Sequence, residues 1–453
     1  MLGTWRVGSM VLVFWLGLAS LIAASYVYAP GLTFKNDPDS AMRLVQVRDL
    51  IAGHGWNDAI QARIDPPTGV SIHWSRLIDM GIAGLLMIGK AVFGDAGAEA
   101  FALLIWPLLL LLGYLASAVA VATVLGGRSA AVPTLLLSVA FLSPFTLFLP
   151  GVIDHHNAQV TLVAASVALA LRMPQHPLFG LGAGLGLALS LAVGLETLPY
   201  VAALGAAIAL VWAFHRDTGA ATALFGLGFA LAMPALFAIN GGVAEPLACD
   251  ALSLAYAAPA LAAGLGLAAA AWLLPASVGV AMRLVVLAGL VAVAVAILAA
   301  IAPPCLSGPM VGVSAELKAV WLDRITEAQP IFHYFAVAPA SAMATVGPPL
   351  FALGVAVTRF LRAGREARRT WEIILLPLAM AVAGSLYQVR TLTYANFFAF
   401  VVLGAWLAGV LRAADRGQGT SFLRIARLAG ACLLAIPAVY LLAGSAVVAI
   451  AGL

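Results

Sequence analysis

Two aspartates, Asp37 and Asp39, flank a proline directly after the first long apolar stretch of the chain. Carboxylate oxygens are the ligands that hard divalent cations prefer, and a carboxylate can also accept a proton as a general base. A plain turn or the N-cap of a helix would use the same residue types. The pair therefore predicts a cation ligand, a base or a helix start, and the residues alone leave these alternatives open.

A second polar segment, Asp154-His155-His156, lies between two later apolar stretches. A carboxylate and two imidazoles beside a membrane are costly unless water solvates them or the protein uses them. Residues two positions apart in an extended segment point to the same side, so Asp154 and His156 can share a metal ion. The alternative is a solvated loop.

Two further candidates follow from charge. Arg390 is a lone cation in a loop that the predicted topology, given below, places outside the membrane, where the positive-inside rule disfavours arginine. Its planar guanidinium suits phosphate oxygens. Glu196, at the end of another apolar stretch, is a weaker candidate. In the stretch from Pro66 to Arg76, the side chains of His73, Trp74 and Arg76 can line a sugar pocket; the alternative is a structural turn held by tryptophan packing.

The elements that position these residues must be membrane helices. The chain is 63% hydrophobic and 9% charged with a mean hydropathy of +1.06, whereas soluble domains carry about 25% charged residues. Apolar runs near the length of a spanning helix recur, and the short alternating segments of a barrel are absent. The sequence therefore predicts an all-α, polytopic membrane protein with membrane lipids as partners. Without a basic stripe with interleaved aromatics, no nucleic-acid partner is expected.

Charged loops divide the apolar runs into thirteen predicted spans. They lie near 8–29, 98–124, 130–149, 157–172, 178–194, 197–214, 219–240, 251–274, 281–302, 340–361, 371–387, 394–411 and 425–449. An apolar piece at 78–93 is short and charged, so we expect it flat at the interface. A cytoplasmic N-terminus then places most short arginine-rich loops inside, as the positive-inside rule requires. We read the first run as a retained helix rather than a cleaved signal peptide.

This topology puts three polar segments on the extracytoplasmic face: a long first loop at 30–97 and loops at 150–157 and 303–339. Cys249 and Cys305 also fall outside, where a disulfide can form. We predict one transmembrane domain over 1–453, without a C-terminal soluble domain, in the inner (plasma) membrane.

The order of these segments resembles the catalytic subunit of oligosaccharyltransferase and, more widely, the GT-C superfamily of polyprenyl-linked glycosyltransferases. That family has thirteen spans and a long first outer loop that opens on Asp-Pro-x-x-x-x-Arg, a spacing kept by Asp37, Pro38 and Arg43. Its second acidic motif lies between spans three and four, where Asp154-His155-His156 stands. Thr326-Glu327-Ala328-Gln329-Pro330 and Val389-Arg390-Thr391 are similar to its elements before span ten and between spans eleven and twelve.

The resemblance implies a GT-C fold and a role for each matched residue. Asp37 would be the base that activates the acceptor, with Asp39 beside it, and Glu327 would orient the acceptor or ligate metal. Asp37, Asp154 and His156 would hold Mn²⁺ or Mg²⁺. Arg390 would bind the donor phosphate, with Arg43 and Arg76 as further phosphate ligands. His73, Trp74, His155 and Glu196 would line the substrate pocket.

The implied function is transfer of a sugar or oligosaccharide from a polyprenyl-phosphate or polyprenyl-diphosphate donor, with the active site outside. The acceptor would be a glycolipid, an envelope polysaccharide or a protein. A polytopic transporter or lipid flippase is the alternative. Transporters place ionisable groups near the midplane, often within repeats. Here the spans are nearly free of charge and show no repeat, which favours the enzyme.

Overall fold

The fold is described by a computed structural model covering residues 6–28, 37–72, 74–240, 247–415 and 421–451. Within these ranges the regular secondary structure is helical apart from a small ribbon, which confirms the all-α prediction. In the ribbon, β1 (Ile60–Gln61) pairs antiparallel with β2 (Val70–Ser71). The helices are α1 (Val7–Tyr28), α2 (Pro38–Ile51), α3 (Arg76–Gly126), α4 (Ala131–Ala140), α5 (Leu142–Phe145), α6 (His156–Ala170), α7 (Leu178–Val193), α8 (Leu198–Phe214), α9 (Gly219–Ile239), α10 (Leu254–Leu273), α11 (Val280–Ile301), α12 (Ala315–Val320), α13 (Ile331–Val337), α14 (Pro339–Arg362), α15 (Arg365–Gly384), α16 (Leu392–Asp415), α17 (Ser421–Ala435) and α18 (Pro437–Ala451).

Eight helices within the described residues are long and apolar enough to cross a membrane: α1, α3, α8, α9, α10, α11, α14 and α16. Two bent pairs, each turning by 78°, raise this number to ten if each pair forms one span. The remaining predicted spans coincide with α6 and α7, which are only 15 and 16 residues long, and with α15, which begins in a charged stretch. The chain is a multi-pass membrane protein, and the count of thirteen stays a prediction.

The chain forms two compact units. The larger comprises Gly17–Gly113 and Leu147–Gly312; the smaller comprises Met1–Leu16, Tyr114–Thr146 and Val313–Leu453. In the smaller unit α16 is the central helix, with Phe397, Phe398 and Phe400 fully buried. It packs on α4, α14 and α15.

Small residues bring α7, α9 and α10 of the larger unit close together. A Cβ added to Gly184 would collide with the carbonyl oxygen of Phe225, and one added to Gly226 would collide with the backbone of α10. Association of helices in lipid depends on this kind of backbone approach, because the surrounding chains are as apolar as the helices. These glycines therefore allow the backbones of α7, α9 and α10 to pack closely.

The piece at 78–93 is helical and forms the first part of α3. The helix breaks at Gly94, whose φ of 72° is a left-handed value that favours glycine. Ile78 and Ile82 on the first part are buried in a cluster with Leu44 and Val47 of α2. The first loop therefore packs into a core that it shares with Ala158 of α6 and Val193 of α7. Whether this helix lies flat at the interface stays a prediction.

Cys249 and Cys305 form a disulfide in the larger unit, with Cα atoms 5.1 Å apart. The first precedes α10 and the second follows α11, and those two helices pack against each other. The bond that the topology permitted therefore closes a helical hairpin.

Candidate functional site

The first acidic motif starts α2. Asp37 is the N-cap: one carboxylate oxygen accepts a hydrogen bond from the Ser40 amide at 3.2 Å, and the other accepts from the Ser40 hydroxyl. Pro38 occupies the first helical position, where its fixed φ suits a helix start. The helix-start alternative is thus realised. It also holds the half-buried carboxylate in one orientation, which a base or ligand needs.

Ser40 joins this motif to the second one. Its fully buried hydroxyl oxygen accepts a hydrogen bond from the Ile153 amide at 3.0 Å. Ile153 directly precedes Asp154, so a single hydroxyl bonds both to the Asp37 carboxylate and to the backbone that carries the second acidic motif. Within the larger unit the structure therefore brings the two predicted motifs together.

The second motif forms a turn at the start of α6. Asp154 accepts a hydrogen bond from the His156 amide at 3.0 Å, and its other oxygen lies 4.0 Å from His156 Nε2. The side-chain amide nitrogen of Asn157 donates to the carbonyls of Val152 at 2.9 Å and Leu147 at 3.3 Å. The loop is thus tied to itself rather than freely solvated.

Glu196 completes this cluster from the short turn between α7 and α8. One Glu196 oxygen lies 3.2 Å from His155 Nε2 and 3.4 Å from His156 Nδ1. His156 Nδ1 is also 3.1 Å from the Gln159 side-chain oxygen. One ligand atom from each of His155, His156 and Glu196 lies within 4.8 Å of the others, so these three residues can hold a metal ion. Glu196, a weaker candidate from the sequence, is therefore part of this cluster.

The charges of this cluster affect the pKa of the Asp39 carboxyl. Partial desolvation raises the pKa of its carboxyl, and the negative charges of Asp154 and Asp37 add to that rise. The histidines 155 and 156 oppose it. Because these charge effects need proximity, Asp39 lies within electrostatic range of these residues. A raised carboxyl pKa is a common property of functional sites.

Two predicted phosphate ligands, Arg43 and Arg76, lie buried instead of facing solvent. Each forms an ion pair of 2.8 Å with a different oxygen of Asp79, and the side chains of Arg43 and Asp79 are fully buried. The Arg43 guanidinium also lies 4.8 Å from the Trp74 ring centroid, and that ring is 5.9 Å from the ring of His155. The structure thus supports the structural alternative for this stretch, and it places Trp74 beside the site.

The remaining predicted residues pair within the smaller unit. Arg390 lies 3.4 Å from Glu327, and the Val389 amide donates to the Gln329 carbonyl at 2.8 Å. The two motifs that contain them are thus bonded side by side. His73 lies outside the described residues.

Two residues that the sequence analysis did not select contribute to the site. Asp79 stands three positions after Arg76, a spacing that brings side chains together on a helix. That spacing is a signal that could have identified it. Gln159 stands three positions after His156 on α6, and the same rule applies to it.

Solved structures share this fold. An archaeal oligosaccharyltransferase AglB from Archaeoglobus fulgidus, in complex with an inhibitory peptide and a dolichol-phosphate, superposes with a TM-score of 0.65 at 16% identity. The match covers 95% of this chain and 55% of that one. The A. fulgidus oligosaccharyltransferase in the apo form gives 0.62 at 17% identity, covering 96% and 55% of the two chains. Its complex with zinc and sulfate gives 0.52 at 17%, covering 94% and 52%.

This chain spans about 55% of the length of the first two structures it matches. No protein-family model and no curated protein sequence matches it. At this level of identity the likeness shows the fold, and it covers nearly the whole chain. The resemblance read from the ordered motifs is thereby confirmed at the level of the fold: the chain has the same GT-C fold as these archaeal oligosaccharyltransferases.

Proposed function

We propose that this protein is a membrane glycosyltransferase that takes a sugar or oligosaccharide from a polyprenyl-phosphate or polyprenyl-diphosphate donor. The observation that carries the proposal is the bonded junction of the two acidic motifs through Ser40. In a chain with this fold, the oriented carboxylate of Asp37 is joined through Ser40 to the loop that carries Asp154, the second acidic motif of the family resemblance. The dolichol-phosphate of one fold neighbour supports a lipid-linked donor.

In the proposed reaction the bond between the sugar C1 and the donor phosphate oxygen breaks, and its electron pair leaves with the lipid phosphate. The acceptor heteroatom forms the new bond to C1 and loses a proton. Asp37 accepts that proton, because its cap hydrogen bonds fix the carboxylate at the helix end. The acceptor is a glycolipid, an envelope polysaccharide or a protein; a peptide in one fold neighbour favours the last.

The site is compatible with a divalent cation, because it offers imidazole and carboxylate donors within reach of one another. A cation there would neutralise negative charge that develops on the leaving phosphate. The resemblance assigns it to Asp37, Asp154 and His156, whereas the cluster assembled in the structure is His155, His156 and Glu196. The zinc in a fold neighbour supports the presence of a cation.

Arg390 is proposed to bind the donor phosphate. Its side chain is only 20% exposed and pairs with the more exposed Glu327, which orients the guanidinium. An oriented guanidinium binds phosphate through two parallel hydrogen bonds. Replacing Arg390 by Lys keeps the charge but removes this fork, so we expect a higher KM for the donor with little loss of folded protein. The positive-inside rule predicts that the active site faces the extracytoplasmic side.

The test is release of polyprenyl phosphate from a panel of lipid-linked sugars by the purified chain in detergent. Asp37→Asn keeps a good N-cap residue and removes the base, so we expect a loss of about 10²- to 10⁴-fold in turnover. Asp95→Asn, at a well-exposed aspartate of the same unit, is the matched control and should retain activity. Full activity in Asp37→Asn would refute its role as base. No turnover with any donor, together with flipping in proteoliposomes, would favour a flippase instead.

A further inference from the structure

We propose that His155, His156 and Glu196 bind a transition-metal ion of the zinc class, with Asp154 orienting one of the histidines. For its catalytic role this inference rests on the proposed function, but the metal site itself follows from geometry. It reassigns His155 and Glu196 from the substrate pocket to the metal, and it leaves Asp37 free to act as the base.

The separation of the donor atoms fits one ion. Zinc binds imidazole nitrogen at about 2.0–2.1 Å and carboxylate oxygen at about 2.0–2.2 Å, so tetrahedral ligand atoms lie about 3.4 Å apart. The same Glu196 oxygen lies 3.2 Å from a nitrogen of His155 and 3.4 Å from a nitrogen of His156. Only small side-chain movements would place an ion among these three atoms.

The ring of His156 decides which carboxylate can share its ion. Its Nδ1 lies 3.4 Å from Glu196, and its Nε2 lies 4.0 Å from Asp154, so the two nitrogens face different acids. If Nδ1 binds the ion, Nε2 carries the proton and donates it toward Asp154. Metal-bound histidines usually donate their second N–H to such a carboxylate, which fixes the tautomer.

The burial of the three side chains supports a preformed metal site. The His155 side chain is 10% exposed, whereas those of His156 and Glu196 are 24% and 33% exposed. One ligand is thus anchored in the protein and two remain accessible to an entering ion. The ring centroids of His155 and Trp74 are 5.9 Å apart, so the tryptophan packs beside the buried ligand and helps to orient it.

The donor set selects the metal. Two imidazoles and one carboxylate suit zinc and neighbouring transition ions, whereas Mg²⁺ prefers an octahedron of oxygen atoms. We therefore expect the purified protein in detergent, stripped with chelator, to bind one Zn²⁺ per chain. Mg²⁺ in large excess should not displace it.

Calorimetric titration of Zn²⁺ into single variants separates ligands from orienting residues. Loss of an outer partner typically lowers metal affinity 10- to 100-fold. We expect Glu196→Gln to lose more than about 100-fold and Asp154→Asn about 10- to 100-fold. Asp37→Asn should bind as the wild type does, and Glu99→Gln, an exposed acid of the same unit, is the control. A loss of 100-fold or less in Glu196→Gln, or a larger loss in Asp154→Asn, would overturn the assignment.

A measurement on the wild type keeps the proposal testable if a variant does not fold. X-ray absorption at the zinc edge counts imidazole ligands, and we expect two. A single imidazole is what Asp37, Asp154 and His156 would supply, and it would overturn the proposal, as would the absence of stoichiometric zinc. Because no donor sugar is present, these results are independent of turnover. Zinc bound without any glycosyl transfer would leave the metal site standing and reject the proposed function.

Discussion

The buried charge cluster around Asp79 gives a stability prediction that the structure makes quantitative. This carboxylate is fully buried and pairs with two guanidiniums, those of Arg43 and Arg76, through ion pairs of 2.8 Å. Replacing Asp79 by Asn keeps the shape of the side chain but removes its charge. Two cations then remain in a site that water does not reach. Removing one partner of a buried pair costs about 3–5 kcal/mol, so we expect a loss of at least about 3 kcal/mol in unfolding free energy.

The matched control is an ion pair of similar geometry on the surface. Glu99 accepts two hydrogen bonds of 2.7 Å from Arg48, but the two side chains are 40% and 54% exposed. Exposed pairs contribute about 0–1 kcal/mol, so Glu99→Gln should stay near the wild type. Unfolding in mixed micelles with increasing dodecyl sulfate compares both variants under one condition.

A rescue variant tests the cause of the loss. Replacing Arg43 and Arg76 by Met together with Asp79→Leu removes all three charges at similar volume. Such apolar replacements of buried ionic groups are often neutral or stabilising, so we expect most of the lost stability to return. Equal losses in Asp79→Asn and Glu99→Gln would refute the reasoning, because burial would then have no energetic effect at this cluster.

Three more predictions concern the disulfide, a helix interface and an acidic group. Replacing Cys249 and Cys305 by Ser should lower the unfolding free energy by about 4 kcal/mol, since the bond closes a loop of 56 residues; Ser at the free cysteine of α17 is the control, and denaturant unfolding measures both. Gly184→Ala should cost about 1–3 kcal/mol by overpacking, whereas Gly289→Ala, with open space around it, should be neutral by the same assay. Desolvation raises the pKa of Asp39 in the folded protein. The contribution of this carboxyl to stability is therefore fully present at a pH below its ordinary pKa, and it is lost as the pH rises through the raised pKa. The thermal midpoint of Asp39→Asn relative to wild type should therefore increase from about pH 4 to about pH 7, and an unchanged difference would contradict this.

The sequence predicted the fold and the two acidic motifs of the site because the sequence patterns that mark them are strong and local. Long apolar runs require membrane helices whatever their packing. The motif at Asp37 and the motif at Asp154 were each visible as polar residues in apolar surroundings, and their order carried the resemblance. That they meet through Ser40 was not predictable, because a serine in a loop gives no sign of its distant partner.

The main feature that the sequence did not predict was the burial of long polar side chains. Arg43 keeps the family spacing, which suggested a phosphate ligand, yet Ser40, Leu44 and Val47 lie on the same buried face of α2. That spacing of three, four and seven positions marks the face that packs inward. A cation on it needs a buried partner, and the spacing from Arg76 to Asp79 points to one. Glu196 was underrated because its relation to the two histidines exists only once α6 and α7 have packed together.

The disulfide at the open end of the hairpin of α10 and α11 also makes the two helices tolerant of a cut between them. The turn at 275–279 lies at the far end of helices 20 and 22 residues long, about 30 Å from the bond. A chain cleaved there remains one covalent molecule as long as the sulfurs stay joined. The two fragments separate only under reduction, so this turn is a place where the polypeptide can be opened, or a tag inserted, without losing either helix.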